Sequence, residues 1–349
     1  LQLGIIGLPQ SGKTTIFNAL TKSCVKVGEY STGCEVHMGV VKVPDPRLDK
    51  LTAMFNPKKK VPATIAYVDI GGMAKGASSS GGLGKEFLDQ LHKVDAVILV
   101  LRGFGQAGDP ADEYQTIATE LLLSDMAMIE RRIERVKTDL RKIKRPELEK
   151  ELVVLERCQK HLESEQPIRT LGLAADESKM LRSFQLLTEK PLLPVLNYAE
   201  GADPSPMREA VKKSCSQEVT SLCGSIEMDI AQMPEQEAAE FLKELKIEEP
   251  ALNRMIRTSY HLLGKISFFT VGEDECRAWT VPQNTKAPQA AGAIHSDLER
   301  GFIRAETVSY DHLTETGSYG AAREKGYVRL EGKEYVVKDG DILNIKFNV

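Results

Sequence analysis

The stretch Gly7-Leu8-Pro9-Gln10-Ser11-Gly12-Lys13-Thr14 reads G-x-x-x-x-G-K-T, the spacing of a phosphate-binding P-loop. Its flanks have the character such a loop needs. Leu3-Gly4-Ile5-Ile6 before it reads as a buried strand, and Thr15-Ile16-Phe17-Asn18-Ala19-Leu20 after it reads as a helix start. A strand, a glycine loop and a helix start aim backbone N–H groups and the positive end of a helix dipole at one anion. In that frame Gly7, Pro9, Gln10, Ser11, Gly12, Lys13, Thr14 and Thr15 form the phosphate-binding set. Lys13 reaches the β- and γ-phosphates, and the Thr14 hydroxyl holds Mg²⁺.

Further along, Val40-Val41-Lys42-Val43, Thr64–Ile70 and Ala96-Val97-Ile98-Leu99-Val100-Leu101 read as strands. The last is a continuous apolar run, expected of a strand buried on both faces. Helical pattern between them predicts a parallel sheet with crossovers. Lys190–Leu196 has the pattern of a further strand far downstream, so the α/β domain is interrupted and then resumed. The interruption carries Leu122, Met126, Ile129, Ile133, Val136, Leu140 and Ile143 at alternating 4–3 spacing, the seam of a coiled coil. Pro146 stops that helix. Leu148, Leu152, Leu155 and Leu162 resume the pattern, which predicts an antiparallel helical hairpin. An arm of ~20 residues is ~30 Å long. Its tip holds Arg141, Lys142, Lys144 and Arg145, either a solvated face or a basic probe for a phosphate backbone.

Within the nucleotide frame, Asp69-Ile70-Gly71-Gly72 gives D-x-x-G at the end of a strand. There Asp69 is the second Mg²⁺ residue and Gly72 offers its N–H to the γ-phosphate. The run Gly76–Gly84 suits a switch loop that orders around that phosphate. Asn197-Tyr198-Ala199-Glu200 follows the downstream strand, where GTPases present N-K-x-D. A Glu one methylene longer, and Tyr198 in place of Lys, point away from strict guanine reading. Asn197 is matched to adenine N6/N7, and Gly224 with Ser225 forms the loop over the base. Met73 stands where a water-orienting Gln is usual, so no catalytic residue is assigned and slow turnover is expected.

Composition sets the outer bounds. The chain has 349 residues, 42% hydrophobic and 28% charged, with a formal net charge of −4. This describes a globular protein of two or three domains with no global attraction to nucleic acid, and no DNA sequence specificity is expected. No window reaches the ~18 apolar residues of a membrane span, and no signal peptide precedes the first strand. The six cysteines, Cys24, Cys34, Cys158, Cys215, Cys223 and Cys276, form no C-x-x-C pair. They read as reduced thiols of a cytoplasmic protein.

At this point the chain resembles the Obg-like ATPase family, also called YchF. The residues that carry the resemblance are the P-loop, Pro44-Asp45-Pro46-Arg47-Leu48-Asp49, the Asn197…Glu200 element, and above all the C-terminal stretches. These are Phe268–Gly272, Arg277–Thr280, Ala287–Asp297, Gly301–Glu306 and Phe347-Asn348-Val349, which look like the family's TGS domain. The resemblance implies an α/β fold: a Ras-like P-loop G-domain, an antiparallel coiled-coil insertion and a β-grasp-like TGS domain. The boundaries expected are 1–107 and 181–263 for the G-domain, 108–180 for the insertion and 264–349 for TGS. It also implies ATP hydrolysis in preference to GTP, Mg²⁺, and ribosome or ribosomal RNA as partner, bound through the arm tip and TGS.

Three positions depart from the family pattern. Gln10 stands for an Asn tied to monovalent-ion binding, which leaves K⁺ activation open. Leu99 stands for a His to which catalysis has been attached. Ser31–His37 replaces the usual first switch, with Thr32 one position off the expected Thr. Met73 keeps the family's hydrophobic residue at the Gln position. The readings weighed against an ATPase switch are a GTP-preferring switch, a nucleotide-sensing module with little hydrolysis, and a P-loop kinase.

Overall fold

The structure is a computed structural model that describes residues 1–25, 36–71, 84–105, 108–143, 145–215 and 217–348. Thr32, Gly72 and Met73, with most of the Gly76–Gly84 run, Cys34 and Lys144, lie outside the described residues. The first half of the chain runs β1 (Gln2–Ile6), α1 (Lys13–Thr21), β2 (Val36–Lys42), α2 (Pro46–Phe55), β3 (Lys59–Val61), β4 (Thr64–Ile70), α3 (Lys85–Lys93) and β5 (Ala96–Gly103). Next come α4 (Pro110–Lys142), α5 (Pro146–Glu163), α6 (Ala175–Leu181), β6 (Leu192–Tyr198), α7 (Ser205–Cys215) and β7 (Thr220–Leu222). Then follow α8 (Gly224–Gln232), α9 (Glu235–Glu244), α10 (Ala251–Leu262), β8 (Lys265–Thr270), β9 (Glu275–Pro282), α11 (Ala287–Ile294) and α12 (Ser296–Arg300). The chain closes with β10 (Phe302–Ser309), α13 (Tyr310–Thr316), α14 (Tyr319–Glu324), β11 (Arg329–Glu331) and β12 (Asp341–Phe347).

These elements pack as two compact units. One is Leu1–Gly39 with Ala66–Leu252, the other Val40–Ile65 with Asn253–Val349. The first is built on a sheet of order β2-β4-β1-β5-β6-β7, in which β1 pairs parallel with β4 and β5, β5 with β6, and β6 with β7. The apolar run predicted for β5 is buried along its whole length from Ala96 to Leu101, as a central parallel strand requires. Leu99 is fully buried there, opposite Ile6 of β1. Its side chain belongs to an apolar core of strand and helix residues and meets no solvent.

The predicted helical hairpin forms, with a longer first limb than the heptads alone show. The start of α4 belongs to the sheet: Tyr114, Ile117 and Leu121 pack with Leu101, Leu196 and Val211. Beyond it Ile129, Ile133 and Val136 meet Val154, Leu155, Cys158 and Leu162 of α5. Two ion pairs cross the seam, a bidentate Arg132–Glu151 pair at 2.7 and 2.9 Å and Lys137–Glu156 at 2.8 Å. The hydrogen bonds to Glu151 hold the Arg132 guanidinium above its ordinary pKa. Two details differ from expectation. Ile143 is 58% exposed, so the seam ends at Leu140. Pro146 is the first residue of α5, not the brake on α4. A proline is at home there because the first-turn N–H has no partner to lose.

The arm is pinned at its root by a buried carboxylate. Asp125 of α4 is 0% exposed and accepts from the Leu187 N–H (2.9 Å), the Thr188 N–H (2.7 Å) and the Thr188 hydroxyl (2.6 Å). Burial nevertheless raises its pKa, since desolvation outweighs those three bonds. Arg169 beside it donates to the carbonyl of Thr188 at 3.2 Å, and burial lowers its pKa.

The second unit has the sheet order β11-β10-β12-β8-β9-β3. A β8–β9 hairpin, a central parallel β12–β8 pair and α11 packed on one face make a β-grasp arrangement. Residues 40–65 join it: β3 extends the sheet by pairing parallel with β9 from Lys59↔Glu275 to Val61↔Arg277. The Pro44–Asp49 motif acquires a physical role here. Asp45 caps α2 by accepting the Arg47 N–H at 3.0 Å, and Pro46 occupies the first helical position. The Arg47 guanidinium then bridges Asp45 (2.9 Å) and Asp339 (2.7 Å) above the Phe269 ring. Burial pulls its pKa down, but the two carboxylates win and hold it well above the ordinary arginine value. Asp339 also accepts the Ser267 N–H at 2.9 Å, so one turn ties α2 to β8.

Candidate functional site

The P-loop connects β1 to α1 at the carboxyl end of the sheet. Ser11 N–H donates to the Leu8 carbonyl at 3.1 Å, closing a tight turn, and the Ile16 N–H donates to the Gly12 carbonyl at 3.0 Å as the helix begins. Gly12 is the N-cap residue at φ +85°, a backbone region that glycine enters without strain. A Cβ at Gly7 would meet the Ser11 side chain and the Val100 carbonyl, so the loop can lie this close to β5 only with glycine there. The first turn of α1 carries no acidic side chain. The positive end of its dipole therefore faces the loop uncancelled.

Three of the expected residues converge at one point. Thr14 Oγ1 donates to Asp69 Oδ2 at 2.9 Å, and Lys13 Nζ lies 3.7 Å from Asp69 Oδ1. Asp69 is 3% exposed, and its Oδ1 has no hydrogen-bond partner. A buried carboxylate oxygen without a donor, next to a threonine hydroxyl, suits a hard divalent cation. Mg²⁺ takes one or two protein oxygens and completes its shell with water and phosphate. Thr14 and Asp69 would hold the ion, and when bound it would neutralise charge on the β- and γ-phosphates.

The residues expected to read the base lie around the start of α8 and the end of β6. Asn197 is buried, and its amide is a strut: Nδ2 donates to the Ser11 carbonyl at 3.0 Å, and Oδ1 accepts the Gly224 N–H at 2.9 Å. The Gly12 backbone lies so close that a Cβ there would strike Asn197. Asn197 thus ties the P-loop to the start of α8 with its only oxygen and one of its two N–H groups. Gly224, expected to offer backbone to the base, spends its N–H on this strut. Ser225 Oγ lies 3.2 Å from Cys223 Sγ. Tyr198 is half-buried and Glu200 exposed at the mouth after β6. Pro9 and Gln10 are exposed on the loop, and Thr15 is half-buried in the first turn of α1.

Two residues near the loop escape the motifs. Arg102 at the end of β5 donates to Gln10 Oε1 at 3.2 Å, and its backbone N–H donates to Glu113 Oε2 at 2.8 Å. The one hint in the sequence is a lone arginine ending an otherwise apolar strand.

Comparison with known proteins agrees with this fold. A family model described as a 50S ribosome-binding GTPase matches residues 2–155, and the YchF GTPase C-terminal model, described as a protein of unknown function, matches 265–348. The chain is 44% identical over 366 residues to the ribosome-binding ATPase YchF of Bacillus subtilis (strain 168), covering 100% of both. It is 42% identical over 360 residues to the protein of the same name from Escherichia coli O157:H7, covering 99% of each. The solved structure of the Schizosaccharomyces pombe YchF GTPase superposes with a TM-score of 0.86 at 34% identity, over 99% of this chain and 97% of that one. With both ends of the chain and its architecture thus matched, it belongs to the YchF family of P-loop NTPases.

Proposed function

We propose that this chain is an ATP-hydrolysing switch that works on the ribosome in the cytoplasm. The observation that carries the nucleotide half is the junction of Lys13, Thr14 and Asp69, with one carboxylate oxygen that accepts no hydrogen bond beside a threonine hydroxyl. In this reading Gly7–Thr15 hold the phosphates, and Gly72 contacts the γ-phosphate. Thr32 and Met73 belong to the switches. Tyr198, Glu200 and Ser225 face the base, and the strut of Asn197 keeps the base loop at a fixed distance from the P-loop. Turnover is slow, because Leu99 is apolar and buried and the Met73 side chain has no group to orient water. Preorganised loop dipoles, Lys13 and Mg²⁺ then supply most of the stabilisation of the transferring phosphoryl group.

The ribosome half is supported by the names of the relatives and by the arm, whose tip presents Arg141, Lys142 and Arg145 on exposed positions. The TGS unit is the second contact in this reading. No helix among the described residues is long and apolar enough to cross a membrane.

A second reading, GTP preference, draws on the match to a GTPase family model. Titration of the nucleotide-free protein with fluorescent ATP and GTP analogues in Mg²⁺, with unlabelled competitors, separates the two. ATP preference supports the first reading; GTP preference replaces it with a GTPase switch on the same fold.

A further inference from the structure

The Arg102 guanidinium has no carboxylate partner among the described residues. Arg47, Arg132, Arg157 and Arg323 each reach a carboxylate. Arg102 is half-buried, and among the described residues its guanidinium has only the neutral Gln10 oxygen as partner. Four of its five N–H donors are left over. Those donors are open to water or to an anion, and an anion placed against them gains charge-assisted, geometrically directed bonds.

Its position says which anion. Arg102 lies three residues beyond Leu99, which pairs with Ile6 at the end of β1, so it stands level with the P-loop at the carboxyl end of the sheet. Ligands of open α/β sheets bind at that edge. Gln10, the residue that Arg102 grips, sits in the middle of the phosphate loop with a left-handed φ of 66°, a conformation that the tight loop imposes. The backbone of Arg102 is fixed from the other side by Glu113 in the first turn of α4.

We propose that Arg102 is a nucleotide-binding residue whose guanidinium contacts the phosphate chain, with Gln10 and Glu113 as positioning residues that aim and anchor it. The proposal rests on the reading of the P-loop as a nucleotide site. It adds a third fixed positive element to Lys13 and the helix dipole, in a site whose motifs supply no arginine.

The test is competition titration of the full chain with ATP and ADP at several ionic strengths, for wild type, Arg102→Met, Arg102→Lys and Lys13→Ala. Wild-type binding that Lys13→Ala abolishes establishes the site independently of Arg102. Arg102→Met is expected to weaken ATP binding about 10- to 100-fold and to flatten its dependence on salt. Arg102→Lys should keep the salt dependence and recover part of the loss. An unchanged Kd overturns the proposal. A loss with undiminished salt dependence also overturns it and leaves Arg102 as a strut between β5 and α4. Thermal melts precede the titrations; if the Met variant does not fold, Arg102→Gln, which keeps a donor toward Gln10, takes its place.

Discussion

Asp125 is the residue whose replacement has the best-defined cost. Its carboxylate accepts three hydrogen bonds while fully buried, two on Oδ2 from Thr188 and one on Oδ1 from Leu187. Asparagine keeps the shape but has one acceptor oxygen. If that oxygen takes the Oδ2 place, the amide NH₂ faces the Leu187 N–H donor to donor, so that N–H and the amide's own hydrogens are left unpaired, at about 1–3 kcal/mol for each unpaired group. Alanine strands all three donors, and relief of the carboxylate's desolvation offsets part of the loss, so about 3–5 kcal/mol is expected.

The pH dependence has a definite sign. Burial raises the folded-state pKa above the ordinary aspartate value, so the folded state holds more protons between the two. The contribution of Asp125 is therefore greatest below the unfolded-state value and is lost as pH rises through the raised one. Urea unfolding of wild type, Asp125→Asn and Asp125→Ala at pH 7, repeated between about pH 4 and 6, measures both effects. Hydrogen exchange of the Leu187 and Thr188 amides localises them. A loss below about 0.5 kcal/mol for alanine, within the range of ordinary surface changes, would refute the pinning argument.

Two further outcomes follow from the sites. Asp69→Asn should raise the Mg²⁺ concentration needed for half-maximal nucleotide binding by more than about tenfold, because the carboxylate loses its charge; an unchanged Mg²⁺ titration removes Asp69 from the metal site. Neutralising Arg141, Lys142 and Arg145 should lower the salt slope of ribosome binding by about 0.7–0.9 per lost phosphate contact, read by co-sedimentation. A slope identical to wild type assigns the tip to plain solvation.

Much of this architecture is legible in the amino-acid order because it rests on local rules. The P-loop glycines, the doubly buried β5 and the heptads of α4 and α5 each obey a short-range spacing that the structure keeps. What escapes depends on partners distant in sequence. The Lys59-Lys60-Val61 strand has no apolar alternation and exists only because β9 offers it an edge. Asn197 reads as a base reader from its place at the end of β6, and nothing in the sequence signals that it also acts as a strut. Its role as a strut depends on Ser11 and Gly224, at separations of 186 and 27 residues. Asp125 reads as a polar interruption between Leu122 and Met126, and nothing nearby announces Thr188. Arg102 is invisible for the same reason: its two partners come from the P-loop and from α4.

The placement of residues 40–65 bears on how this protein is made. β3 and β9 pair at Lys59↔Glu275, a separation of 216 residues. At a synthesis rate of about 5–20 residues per second, the early strand waits roughly 10–40 s for its neighbour to be built. During that wait α2, with Arg47, has neither Asp339 nor Phe269 to rest on. A fragment beginning at Asn253 reverses the problem: it exposes the unpaired edge of β9, a template for aggregation, and leaves Asp339 without its guanidinium. The C-terminal unit is thus finished only when the nascent chain is nearly complete, and ribosome stalling or truncation before β9 leaves the early segment with no sheet to join.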